Sequence, residues 1–108
     1  MKILYITDLY ADDKKLIQVL AICKHIKPDC VILNGNIVSP RRTDINSHEY
    51  IETIKKVSDE SLTLIQFGGY DSIEKSNSFF KYFGERNVVD ITNKHFELGN
   101  FEFFGVNY

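Results

Sequence analysis

Pro28-Asp29-Cys30-Val31-Ile32-Leu33-Asn34-Gly35-Asn36-Ile37-Val38 is the stretch that decides the fold class. Cys30 to Leu33 is a continuous apolar run with no polar alternation, the pattern of a strand covered on both faces. Pro28 ends the helix before it and Gly35 ends the strand itself. Toward the N-terminus, Leu16, Val19, Leu20, Cys23 and Ile26 recur at helical spacing, behind Asp12 or Asp13 as N-cap and up to Lys27-Pro28. Before that helix, Ile3-Leu4-Tyr5-Ile6 is a second continuous run, bounded by Asp8, and also suits a strand covered on both faces.

Toward the C-terminus the alternation repeats. A polar loop, Ser39-Pro40-Arg41-Arg42-Thr43-Asp44, leads to the cap candidate Ser47 and a helix marked by Ile51, Ile54 and Val57. Leu62-Thr63-Leu64-Ile65-Gln66-Phe67 is a third strand, stopped by Gly68-Gly69. After Asp71, Ile73, Ser76, Phe80 and Phe83 share a helical stripe ending near Gly84, and Val88-Val89 opens a fourth, shorter strand. The tail alternates instead: His95-Phe96-Glu97-Leu98, a Gly99-Asn100 turn, then Phe101-Glu102-Phe103-Phe104, which spells a two-residue hairpin. Four apolar strands interleaved with three amphipathic helices predict an α/β fold. Its mostly parallel sheet comes from βαβ units with right-handed crossovers and flanking helices, closed by a C-terminal antiparallel hairpin. Neither linker nor repeat is visible, so residues 1–108 form a single domain.

Composition excludes several function classes. With 44% hydrophobic and 26% charged residues, the 108-residue chain has the balance of a globular domain. Thirteen basic against fifteen acidic residues give a net charge of -2. No basic stripe accompanies a phosphate backbone, Arg41-Arg42 being the one basic pair on a loop, so nucleic acid is not an expected partner. Met1 to Ile6 is too short for a signal-peptide core, and no run approaches the ~20 apolar residues of a membrane span. The expected compartment is the cytoplasm. Cys23, on the apolar face of the first helix, and Cys30, inside the second strand, sit in no ligand cluster and read as small buried hydrophobes.

In a parallel sheet the loops after the strand C-terminal ends gather along one edge and form the ligand crevice. Three segments occupy that place: Thr7-Asp8-Leu9-Tyr10, Asn34-Gly35-Asn36-Ile37 and Phe67-Gly68-Gly69-Tyr70-Asp71. Their order, spacing and flanks resemble the N-terminal half of the calcineurin-like metallophosphoesterases, whose motifs run Asp-x-His, Gly-Asp and Gly-Asn-His-Asp/Glu. Pro28-Asp29, the apolar strand and Gly35-Asn36 make the strongest single match. The likeness extends to Phe101-Glu102-Phe103-Phe104-Gly105-Val106, similar to the strand that precedes the family's second half. The resemblance implies half of a metallophosphoesterase-like fold, lacking the family's C-terminal half.

The family holds two divalent cations (Mn, Fe or Zn) that polarise a phosphoryl group and activate a water, a task that needs several anionic or imidazole ligands. Carried over by position, Asp8 matches the first ligand, but Tyr10 stands at the histidine position and Asn36 at that of the bridging aspartate. Gly69 replaces the asparagine ligand and Tyr70 the histidine that would protonate the leaving group; Asp71 is retained. The Gly-His-x-His motif of the family's second half is not in this chain. The resemblance therefore implies a degenerate metallophosphoesterase-like protein, a catalytically inactive binding or assembly module. No catalytic residue and no metal pair are expected, Asp8 being the candidate for a single residual ion. Asp8, Tyr10, Asn36, Gly69, Tyr70 and Asp71 would form a vestigial pocket.

Each of these residues also has a plainer role. Asp8 can accept from loop amides, and Asp71, with Glu74 three positions on, nearly matches a capping box. Tyr10 and Tyr70 can stack on a flat ligand or fill space, and Gly68-Gly69 can bring amides to an anion. His48 and Glu52 share a helix face at metal-binding spacing with no third ligand nearby; His25 suits a helix C-terminus, and His95 lies on the polar side of the tail. Two alternatives follow: a metal-dependent phosphoesterase completed by further C-terminal residues or by a partner chain, and a small nucleotide-binding domain that takes a phosphate-containing ligand. The aromatic tail, His95 to Tyr108, predicts a homodimer or higher homo-oligomer.

Overall fold

β1 (Ile3–Thr7), β2 (Cys30–Asn34), β3 (Leu62–Gln66) and β4 (Val88–Asp90) lie side by side in chain order, every neighbouring pair parallel. A separate antiparallel ribbon pairs β5 (His95–Leu98) with β6 (Phe101–Phe104). The structure is a computed structural model that describes residues 1–10, 12–35, 37, 47–68 and 79–106. The expected α/β architecture is the observed one, with α1 (Asp13–Ile26) and α2 (Ser47–Glu60) as crossovers. No helix among the described residues is long and apolar enough to cross a membrane.

The boundaries follow from local chemistry. Asp12 caps α1, its carboxylate accepting from the amides of Lys14 at 3.0 Å and Lys15 at 3.4 Å. Lys27 closes the helix in the left-handed conformation, φ 48°, its N–H donating to the Cys23 carbonyl, and Pro28 prevents continuation. Gly99, φ 59°, turns the hairpin so that Leu98 faces Phe101, His95 faces Phe104, and Glu97 faces Glu102.

Alternate residues of β2, β3 and β4 feed two separate cores, whereas β1 feeds one. Leu4, Ile6, Val31, Leu33 and Ile65 pack under α1 and α2, against Leu16, Val19, Cys23, Ile51, Ile54 and Val57. The opposite face, through Cys30, Ile32 and Leu64, packs on Phe96, Leu98 and Phe103 of the hairpin. That second cluster contains no residue of β1. The expectation that β1 is covered on both faces is therefore corrected: Ile3 is 37% and Tyr5 56% exposed. The physical reason is its place at the sheet edge, where the two-stranded ribbon leaves an open cleft instead of a packed core.

The third helix is described at its end alone. The stripe through Phe80 and Phe83 predicts a helix ending near Gly84; Phe79 is α-helical and the chain closes in a 3₁₀ turn, Phe80–Tyr82, with the Phe83 amide donating to the Phe80 carbonyl at 3.2 Å. Around this turn Phe67, Phe79, Phe80 and Phe83 meet edge to face at centroid distances of 5.0 to 6.3 Å. Ile73, Ser76 and the start of that helix lie outside the described residues.

Candidate functional site

Strand register brings the first residues of the three loops to one edge. Thr7, Asn34 and Gln66 are aligned neighbours, and the ladder runs one bond further from β1 and from β2. The Asp8 amide donates to the Asn34 carbonyl at 3.3 Å and the Gly35 amide to the Gln66 carbonyl at 2.7 Å. On β3, the Phe67 amide donates to the Thr92 hydroxyl at 3.0 Å. Gly35 has φ 68°, a left-handed conformation that explains a glycine directly after β2.

After β1 the chain turns through two left-handed residues that are not glycine, Asp8 at φ 56° and Tyr10 at φ 49°. Such backbone costs about 1–2 kcal/mol per residue, more readily borne by Asp than by a bulky aromatic. Between them Leu9 is 1% exposed and acts as the anchor, while its carbonyl accepts from the Asp12 amide at 2.9 Å to start the approach to α1. The result presents Asp8 and Tyr10 toward solvent, Tyr10 at 38% exposure. Strain of this kind concentrates at binding sites and turns where the surroundings over-determine the backbone.

Asp8 and Tyr10 are the candidate site residues that the structure places. Asn36, Gly69, Tyr70 and Asp71 lie outside the described residues, as do Arg41 and Arg42. At the described part of the edge the chemistry on offer includes one carboxylate, one phenol, the Thr7 hydroxyl, the Asn34 amide and the backbone amides of the strand ends. A dimetal centre needs several charged or imidazole donors, and Asp8 supplies one.

Elsewhere the side chains of interest are engaged structurally. Glu52 pairs with Lys55 at 3.0 Å, and that hydrogen bond holds its carboxyl below the usual range; His48 nearby is exposed. Cys23 and Cys30 are free thiols with no exposed surface. Burial, reinforced by Asp29, pushes the Cys30 thiol up to about 11; burial and then Glu60 raise Cys23. Both are inert as nucleophiles at neutral pH.

One grouping escaped the reading of motifs. His95, Glu97 and Glu102 bring a ligand-type atom each within 4.8 Å of one another on the outer face of the hairpin. His95 Nε2 lies 3.4 Å from Glu102 and 3.8 Å from Glu97, and its ring stacks on Phe104 at 4.6 Å. The signal was available, because a two-residue turn at Gly99-Asn100 forces Glu97 opposite Glu102. All three are exposed, and imidazole between two carboxylates accounts for the contact.

No family model matches the chain, and no curated protein matches it. Solved structures do share its fold. TT1561 of Thermus thermophilus aligns with a TM-score of 0.68 at 11% identity, over 89% of this chain and 43% of that one. Another solved structure aligns with a TM-score of 0.70 at 20% identity, over 97% of this chain and 52% of its own length. The class defined is an α/β protein with a four-stranded parallel sheet, helices on one face and a hairpin on the other. The chain spans about half the length of these solved structures.

Proposed function

We propose that this chain is a metallophosphoesterase-like scaffold that does not hydrolyse phosphate esters and serves as a binding or assembly module. The observation that carries the reading is the substitution pattern on the strand-end loops. Asp8, Gly35 and Asp71 are kept where the resemblance requires them, while Tyr10, Asn36, Gly69 and Tyr70 stand in place of ligands and proton donor. Asn36 has no charge with which to bridge two cations, and glycine at 69 has no side chain at all. Free, fully buried Cys23 and Cys30 suit a reducing compartment such as the cytoplasm. Exposure of Phe101 (46%), Phe104 (67%) and Val106 (74%) supports assembly into a homodimer or higher homo-oligomer through the hairpin.

The test is metal analysis of the purified protein together with turnover of a chromogenic phosphodiester in added manganese. The expected result is no turnover and less than one equivalent of metal. Asn36→Asp alone is expected to leave turnover absent, since nucleophile, acid and ligands act as a unit. Stoichiometric metal with turnover would overturn the reading. That outcome would favour the alternative of a metal-dependent phosphoesterase completed by further residues or a partner chain, an alternative supported by the 43% and 52% coverage of the solved structures.

A further inference from the structure

The outer face of the hairpin carries a donor set that the strand-end loops do not use. Phe96, Leu98 and Phe103 turn inward onto the sheet, so His95, Glu97, Glu102 and Phe104 share the opposite, exposed face. Register sets Glu97 directly opposite Glu102 and His95 opposite Phe104. Two carboxylates facing each other across a ladder repel, and a cation between them removes that penalty.

His95 Nε2 is 3.4 Å from Glu102 Oε1 and 3.8 Å from Glu97 Oε1, and one ligand-type atom of each residue lies within 4.8 Å of the others. Donors about 2.0–2.2 Å from a tetrahedral zinc ion are about 3.3–3.6 Å apart. The two edges of that tetrahedron that meet at the imidazole are therefore close to formed. Rotation of the exposed carboxylates closes the third edge without a change of backbone. The His95 ring stacks on Phe104 at 4.6 Å with an interplanar angle of 8°. That stack holds the ring plane, and because the Nε2 lone pair lies within the plane, it stays accessible to a metal ion.

We propose that His95, Glu97 and Glu102 form a three-donor site for a single divalent transition ion of the zinc type, with the fourth coordination position open to solvent. The imidazole selects that class, since magnesium and calcium prefer all-oxygen shells of about six or more ligands. The two carboxylates offset the charge of the ion. A proton on Nε2 gives the imidazolium contact described above, so proton and metal compete for one atom. Three exposed donors make a weak site, in keeping with less than one equivalent of metal on the purified protein. The site is separate from the strand-end loops and independent of whether they hydrolyse anything.

The experiment is a ¹H–¹⁵N titration of the full chain at neutral pH with zinc chloride and, in parallel, with magnesium chloride. Zinc is expected to give saturable shifts at one ion per chain, centred on His95, Glu97, Glu102 and Phe104, and magnesium none at the same concentrations. His95→Gln and Glu102→Gln should each weaken zinc at least about tenfold, the loss that even an outer partner of a metal ligand produces. His48→Gln, on α2, should leave zinc binding unchanged. Amide spectra that match the parent away from the hairpin will show that these exposed substitutions keep the fold. No saturable shift, an equal response to magnesium, undiminished affinity in either hairpin variant, or shifts centred on Asp8, His25 or His48 would each overturn the proposal.

Discussion

On one face of the edge strand β1, Leu4 and Ile6 are half-buried beneath the helices; on the other, Tyr5 is 56% and Ile3 37% exposed, although the same face of β2 and β3 is buried under the hairpin. Both faces are made of alternate residues in the same short runs, so composition does not separate them. What separates them is the cover. Two fourteen-residue helices reach across the sheet on one side, whereas the other receives a ribbon of two four-residue strands. A continuous apolar strand thus states that both of its faces can be covered and leaves open which of them is.

Substitution should expose this asymmetry most strongly at paired positions. Leu33→Ala, on the helix face, is expected to lower unfolding free energy by about 2–5 kcal/mol in urea denaturation, while Ile3→Ala on the other face costs under about 1 kcal/mol. Comparable losses would mean that the β1 face is covered in solution.

The two thiols provide a second probe, one on each face. Cys30, on the hairpin side, has its thiol pushed from 9.0 up to about 11 by burial and then by Asp29. Its folded pKa is above the unfolded value, so the associated stability is complete below pH 9 and is lost as pH rises toward 11. The loss should reach about 2–3 kcal/mol at about 1.4 kcal/mol per unit. Denaturation at about pH 8 and about pH 10.5, on either side of the unfolded thiol's titration, should show it, and Cys30→Val should reduce the difference.

Asp12→Ala tests how far the helix-covered face depends on its caps. It removes the acceptor for two amides of α1 and should cost about 1 kcal/mol, seen as a lower urea midpoint. The smallest effect on folding, within about 0.5 kcal/mol, is expected of Phe104→Ser, because that ring is 67% exposed. Its informative readout is mass: light scattering should fall from at least twice the 12.5 kDa chain toward the single chain, if the hairpin carries the contact. A monomeric parent protein would remove assembly from the proposal.

Much of the fold was legible in the residues. Cys30–Asn34, Leu62–Gln66 and the hairpin at Gly99-Asn100 are where their apolar runs and turn chemistry put them, since a period and a stop signal are local properties. The exposure of Tyr5 was not legible, because it depends on how far another element extends. Phe80 belongs to a helical stripe by spacing, and spacing does not show that the last turn of that stripe tightens to 3₁₀. Gln66 reads as the polar end of a strand, and its burial against Gly105 arises only in three dimensions. Of the candidate site, Asp8 and Tyr10 could be placed in sequence at the end of β1, but their left-handed backbone could not be foreseen for residues other than glycine. His95, Glu97 and Glu102 were within reach of a register argument applied across the hairpin.

Gly105 has one more effect, on the order in which the chain becomes ordered. Its amide donates to the Lys94 carbonyl at 2.8 Å, and the Lys94 amide to the Ile91 carbonyl at 3.0 Å, closing the base of the ribbon within a short stretch of chain. β1 must instead find β2 across the whole of α1, and each such closure loses more chain entropy before any contact rewards it. The ribbon is therefore a locally wired unit. Hydrogen–deuterium exchange is expected to show its amides opening at lower free energy than those between β2 and β3.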